Sequence, residues 1–389
     1  MKKLKIAVLI DWYLPGTKAG GPVRSVYSLI SLLKSDFEFY IITTNTDLGE
    51  TKGYPGIETG KLFYKDSVHY YYFDQQHLGN EGLLSLLKEI SPDLIYLNSF
   101  WSRYFSINIV QLKRSGALTS PVLLAPRGML GKGALSLKSF KKKLFIALSK
   151  MMGWYKGILF HATQEQEKSD VLRWYPAAQV RIAPNVNSGS VLPNKSTKEK
   201  NELKLFYLSR IAKVKNIHFA LEALKGIPKE FKVVYDLFGN LEDKEYWNSC
   251  LEIIRTLPEN ITVTYKGELQ FHEVQSRIAE YHCLLLPTLN ENFGHSIVES
   301  LLCGCPAIIS DQTPWTDLES HDCGFSISLE QKQKFTDAIV QYARMDQAEF
   351  SEKSKKAISY ISKKIDLERI REQYKSLFYE STQNGPVHV

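Results

Sequence analysis

Short, continuous runs of apolar residues alternate along the chain with stretches in which apolar residues recur every three or four positions. Runs of this kind are typical of strands buried on both faces of a parallel sheet, and the longer period is typical of helices that pack on such a sheet. The alternation predicts an α/β protein. The predicted strands are Ile6–Ile10, Phe37–Thr43, Pro92–Asn98, Val122–Ala125, Leu159–Thr163, Arg181–Pro184, Leu203–Leu208, Phe231–Gly239, Ile261–Tyr265, Cys283–Leu286 and Pro306–Ser310.

The chain is too long for one ordinary domain. It has 389 residues, and its residues 187–201 are mostly Ser, Gly, Pro, Asn and Lys, which is typical of a linker. We therefore predict two Rossmann-like domains, residues 1–190 and 200–364, followed by a terminal helix at about 365–380.

Composition narrows the class of protein. The five cysteines show neither a disulfide framework nor metal-ligand spacing, which favours a reducing compartment and predicts a cytoplasmic protein. No apolar run in the sequence is long enough to span a bilayer. The net charge of +7, without a nucleic-acid motif, favours a membrane or a phosphate-bearing partner over DNA.

A basic stretch at 134–154 interleaves five lysines with large apolar residues. Two interpretations stay open. A basic amphipathic helix suits an anionic membrane surface, and a solvated lysine face over an ordinary core gives the same pattern.

The stretch 287–314 contains a distinctive arrangement of two carboxylates. Glu291 lies in a polar loop after a buried strand, and Glu299 lies two turns inside the predicted helix that begins after Gly294. Between them, Asn292, Phe293 and Gly294 lead into the helix, whose free N–H groups and dipole suit a phosphate. A sugar–diphosphate–ribose chain has matching groups. Its hydroxyl groups at both ends can donate to the two carboxylates, and its diphosphate lies between them.

The string ENFGHSIVE, from Glu291 to Glu299, resembles the E-x7-E motif of retaining glycosyltransferases of family 4. The residues that follow, including Pro306 and Asp311, resemble the same family. This resemblance implies the GT-B fold, in which two Rossmann-like domains face a central cleft. It implies that the first domain binds the acceptor and the second the nucleotide-sugar donor. It also implies that Glu291 contacts the donor sugar and that Glu299 holds the ribose.

Other predicted donor-site residues follow strands. Two cations, Arg210 and Lys215, lie between a strand and a helix, where they can reach one diphosphate, and the resembled family binds the diphosphate with such a pair. The resemblance places the nucleobase near Gly267. Gly20 and Gly21, between the first strand and helix, allow close approach of a ligand to the backbone. In the resembled family this loop faces the donor phosphates and the acceptor, which also makes Arg24 a candidate acceptor-binding residue.

The first half departs from the wider family at two positions. Asn98 and Arg127 stand where many members carry histidines, although the surrounding string PRGML resembles a branch that builds surface polysaccharides. Arg127 stays charged and cannot act as a base, so it would stabilise the leaving phosphate or orient an acceptor; a structural ion pair is the other interpretation. Asn98 and Trp101, at the end of the third strand and in its loop, are further candidate acceptor-binding residues.

The sequence therefore predicts a retaining hexosyltransferase acting on a nucleotide-diphosphate sugar and a glycan or lipid-linked acceptor. Its predicted catalytic residues are Glu291, Arg210, Lys215 and Arg127. The resembled family needs no metal, and we predict neither a metal nor a cofactor. Alternatives from two classes stay open: a catalytically silent nucleotide-sugar-binding subunit and, among enzymes, a GT-B nucleotide-sugar epimerase or a phosphorylase.

Overall fold

The computed structural model describes residues 3–131, 135 and 139–383. Contacts divide the chain into two compact units. Residues up to Ser188, together with those from Leu367 onward, form the first domain, and Gly189–Asp366 forms the second. Each domain is built on its own largely parallel sheet, so the α/β prediction is confirmed.

The first domain has an eight-stranded sheet of order β3-β4-β2-β1-β5-β6-β7-β8. Every neighbouring pair is parallel except β3 with β4. The central strands are completely buried, as their continuous apolar runs predict. Their bounds are β1 Lys5–Leu9, β2 Glu38–Thr44, β3 Phe63–Lys65, β4 Val68–Phe73, β5 Leu94–Asn98, β6 Val122–Ala125, β7 Leu159–Ala162 and β8 Gln179–Ile182.

Helices connect these strands. A π-helical segment, Arg103–Asn108, leads directly into α3. The predicted basic stretch corresponds in its described part to α4, whereas Ala134, Leu137 and Lys138 lie outside the described residues. The helices are α1 Gly21–Leu33, α2 Asn80–Ile90, α3 Ile109–Arg114, α4 Ser139–Met151 and α5 Glu165–Trp174.

The second domain has a six-stranded, fully parallel sheet of order β11-β10-β9-β12-β13-β14. Its strands are β9 Glu202–Leu208, β10 Lys232–Phe238, β11 Ile261–Gly267, β12 Cys283–Leu286, β13 Ala307–Ser310 and β14 Gly324–Ile327. Its helices are α6 Ile217–Leu224, α7 Lys244–Ile254, α8 Val274–Ile278, α9 His295–Leu302, α10 Lys332–Arg344 and α11 Gln347–Lys364, with 3-10 turns at Lys213–Lys215, Phe271–Glu273 and Glu319–His321.

The predicted linker is residues 187–201, and its part from residue 189 onward is held against the second domain. The Leu192 N–H donates to the carbonyl oxygen of Leu302 at 3.1 Å. Lys198 is only 2% exposed, and its ammonium donates to the carbonyl oxygens of Ala343 at 3.0 Å and Met345 at 2.8 Å. These carbonyls end α10, where a cation is favourable. The polar residues of this segment therefore make specific contacts that composition does not reveal.

The last helix, α12 Leu367–Gln383, belongs to the first domain. Phe378 is fully buried, and its ring centroid lies 5.3 Å from that of Phe37. Arg371 Nε lies 2.9 Å from Asp36 Oδ2. The helix extends to Gln383 rather than ending near residue 380, and residues 384–389 lie outside the described residues.

Candidate active site

The loop between β12 and α9 carries four of the ten predicted donor-site residues, Glu291 to Gly294, and hydrogen bonds fix its position. The Thr288 hydroxyl donates to the carbonyl oxygens of Val214 and Asn290, both at 3.0 Å. The Glu291 N–H donates to the carbonyl oxygen of Gln312 at 3.0 Å. Val214 follows β9 and Gln312 follows β13. The loop is therefore tied to the carboxyl ends of the two strands that flank β12.

Lys215 and Glu291 form a largely buried ion pair in this loop region. Lys215 Nζ lies 2.6 Å from Glu291 Oε2, and 10% and 19% of the two side chains are exposed. Burial raises the pKa of the Glu291 carboxyl, but the Lys215 ammonium and the N–H groups of Phe293 and Asn292 outweigh burial, so the pKa lies below its usual range. Glu291 is therefore ionised at neutral pH and acts only as an acceptor.

The start of α9 depends on Gly294. Its φ is +81°, and a Cβ there would lie 2.7 Å from Ile297 Cδ1. The sequence pattern places apolar residues on one face of α9, but all eight of its residues are buried. Glu299 is 6% exposed, and the Ser300 hydroxyl donates to the carbonyl oxygen of Cys305 at 2.7 Å. Glu299 is thus not an acid on a solvated helix face.

Arg210 lies in the turn after β9 and forms an ion pair with Glu242. The Tyr207 hydroxyl donates to the Arg210 carbonyl oxygen at 2.6 Å. Gly239, after β10, packs against this turn: its φ is +140°, and a Cβ there would lie 1.8 Å from the Ser209 carbonyl oxygen. The backbone of the Arg210 turn is therefore fixed from two sides.

Gly267 ends β11 with a φ of +81°, and its carbonyl oxygen accepts a hydrogen bond from the Gly239 N–H at 2.9 Å. Open space surrounds the position of a Cβ at Gly267. Arg210, Gly267 and Glu291 thus lie at the carboxyl ends of β9, β11 and β12. Ligands of open parallel sheets bind outside these strand ends.

In the first domain, the structure brings Arg127 and Asn98 together. Arg127 has a φ of +55°. Its guanidinium donates to Asn98 Oδ1 at 2.6 Å, to Asn185 Oδ1 at 2.7 Å and to the Tyr96 hydroxyl at 3.1 Å. Tyr374 of α12 also lies close to the guanidinium. These acceptors are neutral amide and hydroxyl oxygens rather than a carboxylate, and they occupy most of the guanidinium N–H groups.

His161 lies beside this cluster and is completely buried. Its Nε2 lies 2.8 Å from the Ala183 carbonyl oxygen, and its Nδ1 lies 2.7 Å from the Tyr96 hydroxyl. A carbonyl oxygen only accepts, so Nε2 carries the hydrogen and Nδ1 accepts from Tyr96. Burial, together with the charge of Arg127, lowers the pKa of His161 to about 3, so the ring is neutral.

The remaining predicted residues of the first domain have other neighbours. Gly20, with a φ of +65°, precedes α1, and open space surrounds a Cβ at Gly20 or Gly21. Arg24 lies in the first turn of α1. Trp101 packs beside α4: its Nε1 donates to the Met129 carbonyl oxygen at 3.3 Å. Asn98 and Trp101 therefore form their hydrogen bonds with different partners.

Two acidic residues near the strand ends were missed from the sequence. Asp11 directly follows β1 and accepts a hydrogen bond from the Ser102 hydroxyl at 2.6 Å. Burial raises its pKa, against the opposing effect of Ser102. Its position after a buried strand was an available signal. Glu242 gave no local signal, because only the fold brings it to Arg210.

In the described ranges, no three or more His, Cys, Asp and Glu side chains cluster in a way that could hold a metal ion. Nor does any helix in the described part of the chain combine the length and apolar character needed to cross a membrane.

Residues 190–364 match the family model for glycosyl transferases group 1. This range is almost the whole second domain, which carries Arg210, Lys215, Glu291 and Glu299. The match supports a glycosyltransferase. A search of curated proteins finds no match.

Among the similar solved structures are three that each cover 97% of this chain. HepE of Anabaena in complex with UDP and glucose is 15% identical, with a TM-score of 0.68, 97% of this chain covered and 99% of that one. Sucrose-phosphate synthase of Thermosynechococcus elongatus is 17% identical, with a TM-score of 0.70 and coverage of 97% and 99%. An E. coli structure described as trehalose-6-phosphate bound with UDP-2-fluoro glucose is 10% identical, with a TM-score of 0.66 and coverage of 97% and 99%. The fold is therefore of the GT-B type, with two Rossmann-like domains.

Proposed function

We propose that the protein is a retaining glycosyltransferase of family 4. It would transfer a sugar from a nucleotide-diphosphate donor to a glycan or lipid-linked acceptor during surface polysaccharide synthesis. The observation that carries the proposal is the ion pair between Lys215 and the ionised Glu291, at the strand ends of the domain that matches the glycosyltransferase model.

The two cations would bind the donor diphosphate. Lys215 comes from the 3-10 turn after β9, and Arg210 lies five residues earlier in the same connection. Each is paired with a carboxylate in the free protein, Lys215 with Glu291 and Arg210 with Glu242, so a diphosphate would exchange one anionic partner for another. The N–H groups at the start of α9 add a third source of positive potential.

The two acids of the E-x7-E motif would hold the hydroxyl groups of the donor. Glu291 is ionised and can accept hydrogen bonds from the sugar, and the resemblance assigns the ribose to Glu299. Similar solved structures hold UDP or UDP-glucose, so uridine nucleotides are the first donors to test.

Retention and metal independence follow from the resemblance. In front-face substitution, the acceptor oxygen forms a bond to the anomeric carbon on the side from which the diphosphate leaves. The bond from that carbon to the phosphate oxygen breaks, and the acceptor proton passes to the departing phosphate. Arg210 and Lys215 would stabilise the charge that develops on the leaving group without a metal or a cofactor.

The acceptor side of the proposal rests on the first domain, with Arg24, Asn98 and Trp101 as candidate contacts. Lipid-linked acceptors lie at the inner face of the cytoplasmic membrane. The proposed location is therefore the cytoplasm, with peripheral attachment to that membrane.

A catalytically silent nucleotide-sugar-binding subunit is the second candidate. It is favoured by the Arg127 cluster, because Asn98, Asn185 and Tyr96 occupy the guanidinium that catalysis would use. A transferase releases nucleoside diphosphate rapidly only when donor and acceptor are both present. A silent subunit binds the donor and releases none.

Thermal unfolding with UDP, GDP, ADP and their sugar conjugates tests the donor site. A ligand at about 100 times its Kd stabilises the folded state by about 2.7 kcal/mol. Glu299→Gln should weaken the binding of the active nucleotide about 10- to 100-fold, because it removes a hydrogen bond to a charged acceptor. Glu259→Gln, an exposed acid in the same domain, is the matched control.

A nucleotide shift that Glu299→Gln leaves unchanged would contradict the assigned role of this residue. If one nucleotide binds, NMR of the product formed from its sugar conjugate decides between retention and inversion. Binding without turnover, over a panel of glycan and lipid-linked acceptors, would favour the silent subunit.

A further inference from the structure

Helix α4 exposes an unusually apolar side to solvent. Phe140 is 78% exposed, Leu144 49%, Leu148 43%, Met151 77% and Met152 53%. These five residues are here called the apolar stripe. Phe140, Leu144, Leu148 and Met151 recur every three or four positions, so they share one side of the helix, and Met152 directly follows it. They make up five of the nine large apolar residues exposed in the described part of the chain, and no other helix there carries more than one of the rest.

The opposite side of α4 packs on the first domain. Ile146 and Ser149 are buried, and the Phe145 ring contacts the rings of Trp101 and Trp154, with centroids 5.5 Å and 5.7 Å away. At about 100° per residue, the centres of the packed side and the apolar stripe are roughly opposite. The stripe is therefore not the edge of the domain core, because the core contacts are already made on the other side.

Lysines flank the stripe. Lys143 and Lys150 project on one side of it and Lys141 on the other, and all three are exposed. Within the described residues, none of these three forms an ion pair. Lys142 lies on the packed side instead, with its Nζ 5.7 Å from the Trp101 ring centroid.

The surrounding sequence lacks acids altogether. Residues 94–164 contain eleven Lys and Arg but no Asp or Glu. The remaining 318 residues carry 38 basic and 42 acidic residues, a balance of −4, although the whole chain has a net charge of +7. The positive charge of the protein is thus concentrated in the segment that contains α4.

We propose that α4 docks the first domain on an anionic lipid bilayer. The helix lies in the plane of the interface, with the apolar stripe among the upper acyl chains and Lys141, Lys143 and Lys150 against the headgroups. A second copy of the chain fits the stripe poorly, because symmetric contact would bring two sets of unpaired lysines together. The proposal is independent of sugar transfer, since it concerns a surface that needs no nucleotide.

Co-sedimentation of the 389-residue chain with vesicles tests the proposal. Vesicles of phosphatidylcholine alone are compared with vesicles of equal parts phosphatidylcholine and phosphatidylglycerol, without nucleotide. We expect binding to the anionic vesicles that weakens as salt is raised, and little binding to the neutral ones.

Two sets of substitutions separate the contribution of the apolar stripe to vesicle binding from that of the lysines. Phe140→Gln, Leu144→Gln and Met151→Gln together should abolish binding to the anionic vesicles, and glutamine keeps the helix propensity high. Lys141→Glu, Lys143→Glu and Lys150→Glu together should reduce binding to anionic vesicles on the order of 100-fold or more. The matched controls, Val191→Gln and the pair Lys332→Glu and Lys334→Glu, change exposed residues of the second domain and should bind like the native chain.

Circular dichroism and thermal unfolding establish that each variant is folded. Absence of native binding to anionic vesicles, or equal binding by the native chain and the apolar variant, would overturn the proposal. Sedimentation velocity in the absence of lipid tests whether a second copy of the chain binds the stripe. A dimer that the same glutamine substitutions dissociate would assign the stripe to a second copy of the chain instead.

Discussion

Two buried titratable residues show how neighbouring groups set the charge at single positions. Glu291 stays ionised because an ammonium and two N–H groups surround it. His161 stays neutral because it is buried near the charged Arg127. Each residue is therefore held in one protonation state at neutral pH. Because its pKa differs between the folded and the unfolded chain, the stability of the fold changes with pH.

His161 should make the first domain sensitive to acid. Its pKa is about 3 in the folded protein, below the ordinary 6.5, so the unfolded chain binds the proton first as the pH falls. The stabilisation is therefore complete above about pH 6.5 and is lost progressively below it, by about 2 kcal/mol at pH 5. Native-state hydrogen exchange of peptides covering β7, corrected for intrinsic rates, measures this loss.

His161→Gln should lower the stability at pH 7.5 but remove this part of the acid sensitivity, because an amide does not titrate. His282→Gln is the control, since it removes a buried histidine of the second domain whose pKa is lowered to about 4. An unchanged pH dependence in His161→Gln would show that other groups cause the loss.

At the residue scale, the sequence predicted chemistry where the residues lie close together in the chain. Glu291, Gly294 and Glu299 were found because one loop and one helix contain them. Glu242 was not, because its pairing with Arg210 spans 32 positions and depends on two adjacent strands. The proximity of Arg127 to Tyr374 likewise depends on the position of α12.

At the scale of elements, the turns after the strands depend on glycines in two different ways. Gly294 and Gly267 have the same φ of +81°, but only Gly294 is crowded, with Ile297 Cδ1 2.7 Å from the position of a Cβ. At Gly267, any other residue would lose stability only through the unfavourable left-handed backbone conformation. At Gly294, it would also displace Ile297 in α9.

Gly294→Ala should therefore destabilise the second domain more than Gly267→Ala does. We expect about 1 kcal/mol for Gly267→Ala from the left-handed backbone alone, and about 1–3 kcal/mol more for Gly294→Ala from overpacking. Urea unfolding, read from hydrogen exchange in α9 and β11, gives both values. Equal destabilisation by the two substitutions would mean that Ile297 moves aside without a loss of stability.

The strands were predicted well because a strand buried on both faces is a continuous apolar run. The exposure of helix residues was harder to predict. The polar residues of α9 suggested one solvated face, yet the fold buries all eight residues. Residues 187–201 were predicted as a linker because their composition is polar, but Lys198 donates hydrogen bonds to carbonyl oxygens at the end of α10. Composition describes single residues and does not indicate such distant partners.

At the scale of the whole molecule, the first domain is made from two separate parts of the chain. Residues from Leu367 onward return to it after the second domain is complete. Helix α12 contributes Tyr374 and Phe378, which are 1% and 0% exposed, to the core and to the surroundings of Arg127.

A chain that ends at Asp366 should have an incomplete first domain. Loss of two buried aromatic side chains removes about 3–6 kcal/mol of hydrophobic stabilisation. This is a large fraction of the free energy of unfolding of an ordinary domain. Hydrogen exchange should become fast in β1, β2 and β5 while protection in residues 189–366 persists. A chain that ends at Gln383 is the control, and equal protection of β1 in both truncated chains would refute the prediction.

The discontinuity of the first domain also orders events on the ribosome. At about 5–20 residues per second, residues 189–366 take roughly 10–40 seconds to synthesise after the first 188 have emerged. During this time the sheet surface that Phe378 covers, including Phe37, is exposed to chaperones and proteases. A message that ends after the codon for Asp366 yields a chain with a complete second domain and an unfinished first one. Quality control can recognise that chain by the surface that α12 would have covered.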